Sequence, residues 1–439
     1  MQIQELYQDY LKVRSVSIDT RKIISGTIFF CLHGQNNGNQ YAQEALEKGA
    51  SKVVMDDLEL YNRLEDKSSV FLVKDSLKCL QELAIYHRNQ LTIPVIGITG
   101  SNGKTTTKEL IYSVLSEKFQ VFATQGNLNN HIGVPLSILS ILPEHEIAVI
   151  EMGANHQKEI AFLCTISQPS LGLITNIGKA HLEGFGGIEG IMKGKKELYD
   201  YLKENSKQVF IYSGDFRLLK MSEGIENKIY YGVNGNESVS GKVIQEFPYL
   251  EIAWKYSPAL DYTHLAKTQL TGSYNLPNLL AGISMGKYFN LSPIEIQKGL
   301  EKYDPQNNRS QLKSLGSNQF ILDYYNANPD SMLGALNNFI HYPSDRKMVI
   351  LGDMNELGMD SNEEHQKILD FIENMNLKEK ILIGPHFYSL RNSTKDFYFF
   401  EDTNSAVEFL KNRNPQQFTI LIKGSRGIQL EKVLSFFNS

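Results

Sequence analysis

Short runs of uniformly apolar residues alternate with longer amphipathic stretches through the middle of the chain. The clearest runs are Val95–Thr99, Ile147–Ile150 and Leu171–Thr175. Runs of this length, bounded by polar segments, are typical of strands that are buried on both faces of a parallel sheet. The pattern therefore predicts a central α/β domain built on such a sheet.

The same alternation continues on both sides of this region. Near the start, the strand-like runs Thr27–Leu32 and Lys52–Met55 flank a helix-like stretch, Tyr41–Gly49. In the last third, the strand-like runs are Lys347–Leu351, Lys380–Ile383 and Phe418–Ile422, separated by the helical patterns Glu363–Glu373 and Ser405–Lys411. We predict an α/β protein of three domains, over residues 1–90, 91–310 and 311–439.

Composition restricts the class of protein further. A chain of 439 residues with 41% hydrophobic residues can bury a large core, and its length corresponds to about two to four domains. The formal charge of −5 argues against general attraction to nucleic acid or anionic membranes. No run approaches the ~20 apolar residues of a membrane-spanning helix. The cysteines Cys31, Cys79 and Cys164 are widely spaced, which predicts reduced structural thiols and a cytoplasmic protein.

A glycine-rich segment, Gly97–Thr107, follows the first central strand and precedes a helix-compatible stretch. It lacks the first glycine of the strict phosphate-loop pattern, because Ile98 stands there, and matches the shorter form Thr-Gly-x-x-Gly-Lys-Thr. Gly100 and Gly103 would let backbone amides approach phosphate oxygens. A glycine turn with a solvent-facing lysine is the alternative, but the position directly after a buried strand favours a nucleotide-binding P-loop.

Polar residues also follow the other two central strands. Glu151 ends the second run, and the third leads through Asn176 to His181. Ligands of open α/β sheets collect beyond the carboxyl ends of the strands, so we expect these side chains to lie together. A hard cation such as Mg2+ would compensate a buried carboxylate. Glu151 as a helix cap or lysine partner, and His181 as a structural residue, remain open alternatives.

Lysines are concentrated in Lys193–Tyr199, which we expect to begin a helix. Their simplest interpretation is a solvated face, and composition does not distinguish among them.

With these motifs together, the chain resembles the Mur ligase family, the ATP-dependent enzymes that add amino acids to the peptidoglycan precursor. The combination of Asn-Ala-Asn-Pro, Gly-Asn-Leu-Asn-Asn and Leu-Gly-Asp-Met-x-Glu-Leu-Gly resembles the dipeptide-adding member. The Asp-Asn-Pro-Arg motif of the ligases that add the third residue is absent. The matching segments are Asp19–Arg21, Gly26–Phe30, Thr99–Lys108, Gly126–Asn130, Glu151–Gly153, Ala180–Gly186, Gly272–Asn278, Arg309–Gln311, Asp323–Pro329, Leu351–Gly358 and Lys423–Arg426.

The resemblance implies a monomeric enzyme of peptidoglycan precursor synthesis, and so of cell wall biogenesis, cell shape and cell division. It would use ATP and Mg2+ to join D-alanyl-D-alanine to UDP-N-acetylmuramoyl-tripeptide, both small molecules. The implied fold is a small N-terminal α/β domain that binds the UDP precursor, a central P-loop ATPase domain and a Rossmann-like C-terminal domain that closes over ATP and binds the incoming dipeptide.

The resemblance also assigns site residues in this sequence. The implied ATP site is Gly100, Ser101, Asn102, Gly103, Lys104, Thr105, Thr106, Asn275, Asn278, Arg309 and Asp323. Metal ligands would be Thr105, Glu151, His181 and Lys195, the last selected by the Lys-x-x-Leu-Tyr signature and carbamylated. Catalytic residues would be Lys104, Asn130, His181 and Lys195. Substrate-binding residues would be Asp19, Thr20, Arg21, Asn326, Asn328, Lys423, Ser425 and Arg426.

Two other functions remain open at this stage. One is another ligase of the same superfamily, for which the substrate differs. The other is a nucleotide-driven switch, in which the P-loop drives a conformational change without ligation. The segment Asn37–Tyr41 also departs from the Asp-Gly element that the family often has there, which affects the expected UDP contacts.

Overall fold

The structure is a computed structural model that describes residues 3–306, 308–392 and 396–437. Its strands form sheets of four, nine and six strands, in that order along the chain. Each sheet lies within one of the three predicted segments. The three-domain α/β architecture is therefore confirmed, while the boundaries at residues 90 and 310 stay predictions.

The N-terminal sheet is entirely parallel, with its strands in the order β1-β2-β3-β4. Its strands are Val16–Ser17 (β1), Ile28–Phe30 (β2), Lys52–Met55 (β3) and Val70–Leu72 (β4). Its helices are Ile3–Val13 (α1), Ala42–Glu47 (α2), Leu58–Arg63 (α3) and Ser76–Gln90 (α4). The hydroxyl of Tyr10 donates to the carbonyl of Leu139 in the next domain, at 2.7 Å, so the two domains share a buried contact.

The central sheet has the order β13-β12-β11-β10-β9-β8-β5-β7-β6. Its strands are Val95–Thr99 (β5), Val121–Ala123 (β6), Ile147–Glu151 (β7), Leu171–Ile174 (β8), Gln208–Tyr212 (β9), Lys228–Gly232 (β10), Val239–Gln245 (β11), Glu251–Tyr256 (β12) and His264–Lys267 (β13). Its helices are Lys104–Leu115 (α5), Gly133–Leu139 (α6), Glu159–Ser167 (α7), Leu182–Phe185 (α8), Ile188–Glu204 (α9), Phe216–Met221 (α10), Leu276–Tyr288 (α11) and Pro293–Lys302 (α12). Strand β5 pairs in parallel with both β7 and β8, so the carboxyl ends of all three meet at one edge.

The C-terminal sheet has the order β14-β15-β19-β16-β17-β18, with only β14 antiparallel to its neighbour. Its strands are Gln311–Leu315 (β14), Asn318–Asp323 (β15), Lys347–Gly352 (β16), Glu379–Ile383 (β17), Tyr398–Phe400 (β18) and Thr419–Lys423 (β19). Its helices are Pro329–His341 (α13), Ser361–Glu373 (α14), Pro385–Ser389 (α15), Thr403–Arg413 (α16) and Glu431–Phe437 (α17). Helices between parallel strands make this domain Rossmann-like.

One sequence expectation is corrected. The lysine run does not begin a helix, because α9 starts at Ile188 and the run lies inside it. Ile191, Lys195 and Leu198 lie three or four residues apart and are all buried, so they share one face of the helix. The run is therefore not a uniformly solvated face.

Two further expectations concern thiols and membranes. Cys31, Cys79 and Cys164 are all free and buried, as predicted for structural thiols. Within the described ranges, no helix has the length and apolar character needed to cross a membrane.

Candidate functional site

A cavity of about 1050 Å³ lies between the central and C-terminal domains. Its lining combines the glycine-rich loop, the ends of β7 and β8, the start of α11 and the end of β15. Most of the predicted site residues line this cavity: Ser101, Asn102, Gly103, Lys104, Thr105, Thr106, Asn130, Glu151, His181, Asn275, Asn278, Arg309, Asp323, Asn326, Asn328 and Lys423.

The glycine-rich loop has a backbone that its sequence allows. Gly103 has a φ of +75°, and a Cβ there would lie 2.8 Å from Oδ1 of Asn278. Gly100 has a φ of +143°, and a Cβ there would collide with Oγ1 of Thr175. Both positions therefore require glycine. Helix α5 begins directly afterwards, so its amino-terminal N–H groups and dipole favour an anion in the cavity.

Lys104 folds back over this loop. Its Nζ donates to the carbonyl of Gly100 at 2.7 Å and to that of Ser101 at 3.2 Å. Burial lowers the pKa of Lys104, while the negative charge of Glu151 acts in the opposite direction. The ammonium group is thus held at the mouth of the loop, where the phosphates of a nucleotide would lie.

Asn176, which directly follows β8 and its extension Thr175, holds the same loop from the other side. Its Oδ1 accepts from the backbone N–H of Asn102 at 2.9 Å, and its backbone carbonyl accepts from the backbone N–H of Ser101 at 3.1 Å. Thr175 donates to the carbonyl of Asn102 at 2.6 Å. Sequence reasoning placed Asn176 after the third strand but did not predict this role, which the pairing of β5 with β8 reveals.

Glu151 is almost completely buried at the end of β7. Its two oxygens accept from Oγ1 of Thr105 at 3.0 Å and from Nδ2 of Asn129 at 2.8 Å. Among the described residues it forms no ion pair with a lysine, and helix α7 begins only at Glu159. Neither alternative interpretation of Glu151 is therefore observed.

These donors suit a hard cation. Glu151 is a buried carboxylate whose hydrogen-bond donors are neutral, and the hydroxyl of Thr105 and the imidazole of His181 face the same cavity. In the described part of the chain, no three His, Cys, Asp or Glu side chains form a metal site by themselves. Mg2+ commonly takes one or two protein ligands and completes its shell with water and phosphate oxygens, so the set fits Mg2+.

The adjacent residues Asn129 and Asn130 make different contacts, which the sequence motif does not predict. Asn129 contacts Glu151, as described above, whereas Oδ1 of Asn130 accepts from the backbone N–H of Ile132 at 3.1 Å and of Gly133 at 2.9 Å. Asn130 lines the cavity and fixes the turn before α6. Sequence reasoning selected Asn130 and missed Asn129, because both belong to the same polar motif.

Lys195 lies beneath the cavity and does not line it. Its side chain is 1% exposed, and its Nζ donates to the carbonyl of Ala154 at 3.2 Å and lies 5.1 Å from the centre of the Phe185 ring. Burial, followed by the positive charge of Lys104, holds the pKa of Lys195 well below its ordinary value. Lys196, by contrast, is partly exposed and pairs with Asp200.

The far side of the cavity carries the remaining predicted contacts. Nδ2 of Asn278 donates to Oδ1 of Asn275 at 2.9 Å, so the two are adjacent. Asp323 and Lys423, at the ends of the neighbouring strands β15 and β19, form an ion pair of 2.5 Å. The guanidinium of Arg309 stacks 3.8 Å from the centre of the Tyr325 ring.

Other predicted residues lie outside the cavity lining. Asp19, Thr20 and Arg21 follow β1 in the N-terminal domain, where Arg21 pairs with Asp19 at 2.8 Å and Thr20 donates to Glu44 at 2.9 Å. The hydrogen bonds from Arg21 lower the pKa of Asp19 to about 2.

Three predicted residues of the loops near the cavity also lie outside its lining. The carbonyl of Gly100 accepts from Nζ of Lys104. Ser425 accepts from the backbone N–H of Asn355 at 2.9 Å. Arg426 lies 5.9 Å from the centre of the Tyr325 ring. Sequence reasoning also missed lining residues, among them Asp330, whose carboxylate accepts from the backbone N–H of Lys179 at 2.5 Å.

Comparison with known proteins gives consistent matches over the chain. Residues 98–286 match the Mur ligase middle domain, and residues 308–426 match the Mur ligase, glutamate ligase domain. The UDP-N-acetylmuramoyl-tripeptide–D-alanyl-D-alanine ligase of Bacillus subtilis is 33% identical over 96% of this chain and 92% of its own length. The crystal structure of MurF from Acinetobacter baumannii superimposes with a TM-score of 0.87 and 27% identity, over 100% of this chain and 99% of that one. MurF from Thermotoga maritima, in complex with ADP, gives a TM-score of 0.84 and 27% identity over 98% of each chain.

Proposed function

The chain belongs to the Mur ligase family, and from this premise we propose that it joins D-alanyl-D-alanine to UDP-N-acetylmuramoyl-tripeptide at the expense of ATP. It is an ATP-dependent ligase of peptidoglycan precursor synthesis. One observation carries the proposal: a P-loop lysine, a buried carboxylate and a charged pair from the C-terminal domain line the same cavity. This arrangement supports the proposal, because it would hold nucleotide phosphates against a second substrate.

The reaction begins with activation of a carboxylate, since a free carboxylate does not react with an amine at neutral pH. An oxygen of the tripeptide carboxylate forms a bond to the γ-phosphorus of ATP, and the bond from that phosphorus to the β-γ bridging oxygen breaks, which releases ADP. We propose that Lys104 and the N–H groups at the start of α5 stabilise the charge on the transferring phosphoryl group.

Amide formation completes the reaction. The amine of D-alanyl-D-alanine forms a bond to the acyl carbon, loses a proton, and the carbon–oxygen bond to phosphate breaks. The C-terminal domain lies directly on the P-loop side of the cavity, since Asn328 contacts Asn102. Its position over the site would exclude the water that hydrolyses an acyl phosphate.

We propose that Thr105, Glu151 and His181 hold Mg2+. Mg2+ bound there would neutralise negative charge on the phosphates. We further propose that Lys195 is carbamylated: its neutral amine forms a bond to the carbon of CO2, one C=O π bond becomes a lone pair on oxygen, and the nitrogen loses a proton, which gives an anionic oxygen ligand. Burial and the lowered pKa of Lys195 support this proposal, because only the neutral amine reacts.

For the remaining residues we propose the roles that the family resemblance implies. Asn275 and Asn278 would contact the adenine, Arg309 a phosphate and Asp323 the ribose. Asp19, Thr20 and Arg21 would hold the UDP end of the precursor. Asn326, Asn328, Lys423, Ser425 and Arg426 would bind the substrates on the side of the C-terminal domain. We also propose that the enzyme is a monomer, which light scattering of the purified protein would test, and that it acts in the cytoplasm.

The decisive experiment follows phosphate release with purified protein, UDP-N-acetylmuramoyl-tripeptide and ATP, with and without D-alanyl-D-alanine. We expect one phosphate for each amide formed, and release that depends on the dipeptide. Phosphate release at full rate without the dipeptide would support a nucleotide-driven switch instead. Amide formation with glutamate or a single amino acid, but not with the dipeptide, would point to another ligase of the superfamily.

A further inference from the structure

The motif Leu351–Gly358 in the C-terminal domain has no role in the reaction described above. In the structure it brings a carboxylate to the central domain, because Oε2 of Glu356 lies 2.5 Å from Nδ1 of His181. His181 is one of the three residues proposed to hold the metal. The contact therefore joins this motif directly to the proposed metal site.

The loop that carries Glu356 is held firmly in place. Buried Asp353 accepts from the backbone N–H groups of His386 at 2.8 Å and Phe387 at 2.9 Å. The N–H of Met354 donates to Nε2 of His365 at 3.0 Å. The next residue, Asn355, is bonded to Ser425, as described above. The three residues before Glu356 are thus anchored within the C-terminal domain, so the backbone position from which the Glu356 side chain extends is fixed.

Both partners have an unfavourable backbone conformation. Glu356 has a φ of +64° and His181 a φ of +57°, values that residues other than glycine seldom adopt. Such strain persists only where the surroundings require it, and it concentrates at functional sites. The segments are also in direct contact, since the backbone N–H of Glu183 donates to the carbonyl of Glu356 at 3.5 Å.

The chemistry of histidine gives the contact a consequence. Nδ1 of His181 is buried and makes no well-aligned hydrogen bond within the described part of the chain, although Oε2 of Glu356 lies 2.5 Å from it. A histidine whose Nδ1–H donates a hydrogen bond to a carboxylate has its lone pair on Nε2, and metal-binding histidines commonly use such a partner to fix ring orientation and basicity.

We propose that Glu356 is a positioning residue that holds His181 with its proton on Nδ1 and with Nε2 as the metal-binding atom. The C-terminal domain thereby completes the metal site of the central domain when the two are docked. This inference rests on the proposed metal-binding role of His181. Two further contacts hold the same segment against the C-terminal domain: Lys179 pairs with Glu364 at 2.7 Å, and its N–H contacts Asp330.

The test compares Glu356→Ala and Glu356→Gln with Glu363→Gln, which alters an exposed carboxylate of the same domain that pairs with Lys367. The first measurement is the 15N shift of the His181 ring in metal-free protein, assigned by its loss in His181→Ala. The second is Mn2+ affinity by electron paramagnetic resonance in the presence of a non-hydrolysable ATP analogue.

We expect Glu356→Ala to shift the His181 ring away from the Nδ1-protonated form and to weaken Mn2+ binding about 10- to 100-fold. Glu356→Gln should keep the tautomer, because its amide oxygen still accepts a hydrogen bond from Nδ1–H of His181, and should bind Mn2+ with intermediate affinity. The Glu363→Gln control should match wild type in both measurements.

An unchanged tautomer in folded Glu356→Ala would overturn the inference, as would unchanged Mn2+ affinity if His181→Ala binds more weakly. Wild-type Mn2+ affinity in His181→Ala would instead reject the metal-binding role of His181, and with it the inference. If Glu356→Ala does not fold, an unchanged Mn2+ affinity in Glu356→Gln decides against the proposal, since that variant removes the charge and keeps the shape.

Discussion

Asn102 of the glycine-rich loop and Asn328 of the C-terminal domain bind each other through their side-chain amides. Nδ2 of Asn328 donates to Oδ1 of Asn102 at 2.6 Å, and Nδ2 of Asn102 lies 3.4 Å from Oδ1 of Asn328. The two residues are 226 positions apart in sequence. The C-terminal domain is therefore docked on the phosphate loop itself, so that nucleotide binding and domain docking are expected to depend on each other.

This contact can be removed without unfolding helix α13. Asn328 is also the N-cap of α13, where its side chain accepts from the N–H of Ser331. Serine is an equally good N-cap, so Asn328→Ser should keep the helix and lose the amide. Loss of one hydrogen bond should raise the KM for ATP by about threefold to tenfold. Steady-state kinetics give the KM, and thermal melting confirms that the fold is retained.

The control is Asn338→Ser, because Asn338 also bridges the two domains but contacts Glu246 instead of the phosphate loop. Its KM for ATP should remain near the wild-type value. If both variants raise the KM equally, the effect belongs to general domain docking and not to the contact with Asn102.

Lys104→Ala should abolish ligation and leave the fold intact. Among the residues that the structure describes, Nζ of the lysine donates only to loop carbonyls, so the substitution removes no core contact. Loss of one preorganised charge of this kind commonly costs on the order of 10²–10³ in rate. Turnover is measured by phosphate release, with the exposed Lys298→Ala as control, and wild-type turnover in Lys104→Ala would refute the assignment.

The sequence predicted the strands that are uniformly apolar. Strands β3 and β5 have the predicted bounds, because runs buried on both faces leave a continuous apolar signature. Strand β14 was not predicted: it is an edge strand with no buried residue, and its sequence, Gln311–Leu315, is mostly polar. This segment is a strand because it pairs with β15, and such pairing depends on residues outside the segment itself.

The candidate site likewise combines contacts that the sequence could predict with contacts that it could not. The meeting of Thr105 and Glu151 follows from the rule that strand ends of a parallel sheet converge, so sequence alone could anticipate it. The contact between His181 and Glu356 joins two domains, and no local pattern signals it. The choice between Asn129 and Asn130 depends on side-chain direction in a loop, which the motif does not specify.

Asp323→Ala should weaken ATP binding, since Asp323 faces the nucleotide cavity from the C-terminal domain. Its ion pair complicates the interpretation, because Lys423 is buried and would lose its partner. Asp323→Asn keeps an acceptor for Lys423 and removes only the charge. We expect on the order of a tenfold loss of affinity in the alanine variant and a smaller loss in the asparagine variant.

Calorimetry with a non-hydrolysable ATP analogue measures this affinity directly, with the exposed Asp345→Ala as control. Unchanged ATP affinity and unchanged turnover in both Asp323 variants would contradict the proposed ribose contact.

Glu237 should stabilise the fold in a pH-dependent way. Burial raises its pKa, but hydrogen bonds from Ser213, Ser240 and backbone N–H groups outweigh this and lower the pKa from 4.5 to about 2. A carboxylate with a lowered pKa stabilises the folded state above its unfolded pKa, and the contribution is lost as the pH falls through the folded pKa. Glu237→Gln should therefore lower the Tm at pH 7, with a difference from wild type that shrinks between about pH 4.5 and 2.

Thermal melts across this range test the expectation, and Glu226→Gln, an exposed carboxylate in the same domain, serves as control. A difference between Glu237→Gln and wild type that stays constant from pH 7 to pH 2 would mean that shape, not ionisation, accounts for the effect.

Lys195 should carry a carbamate in the active enzyme, and its neighbour gives a matched control. Lys195 is fully buried with a pKa held low by burial and by Lys104, whereas Lys196 is partly exposed and paired with Asp200. Carbamylation requires the neutral amine, so only Lys195 has the right surroundings. Lys195→Ala should lose activity, while Lys196→Ala should largely keep it.

Two measurements separate the carbamate from a purely structural role of Lys195. Bicarbonate or short carboxylic acids should partly restore activity to Lys195→Ala, because a free carboxylate can enter the space and supply the missing anion, which a packing defect alone would not allow. Mass spectrometry under non-acidic conditions, or electron density at the side chain, should show the added CO2 on the wild-type enzyme. An unmodified Lys195 in a fully active, metal-bound preparation would reject the carbamate whatever the variants do, since the active enzyme would then work with the free amine.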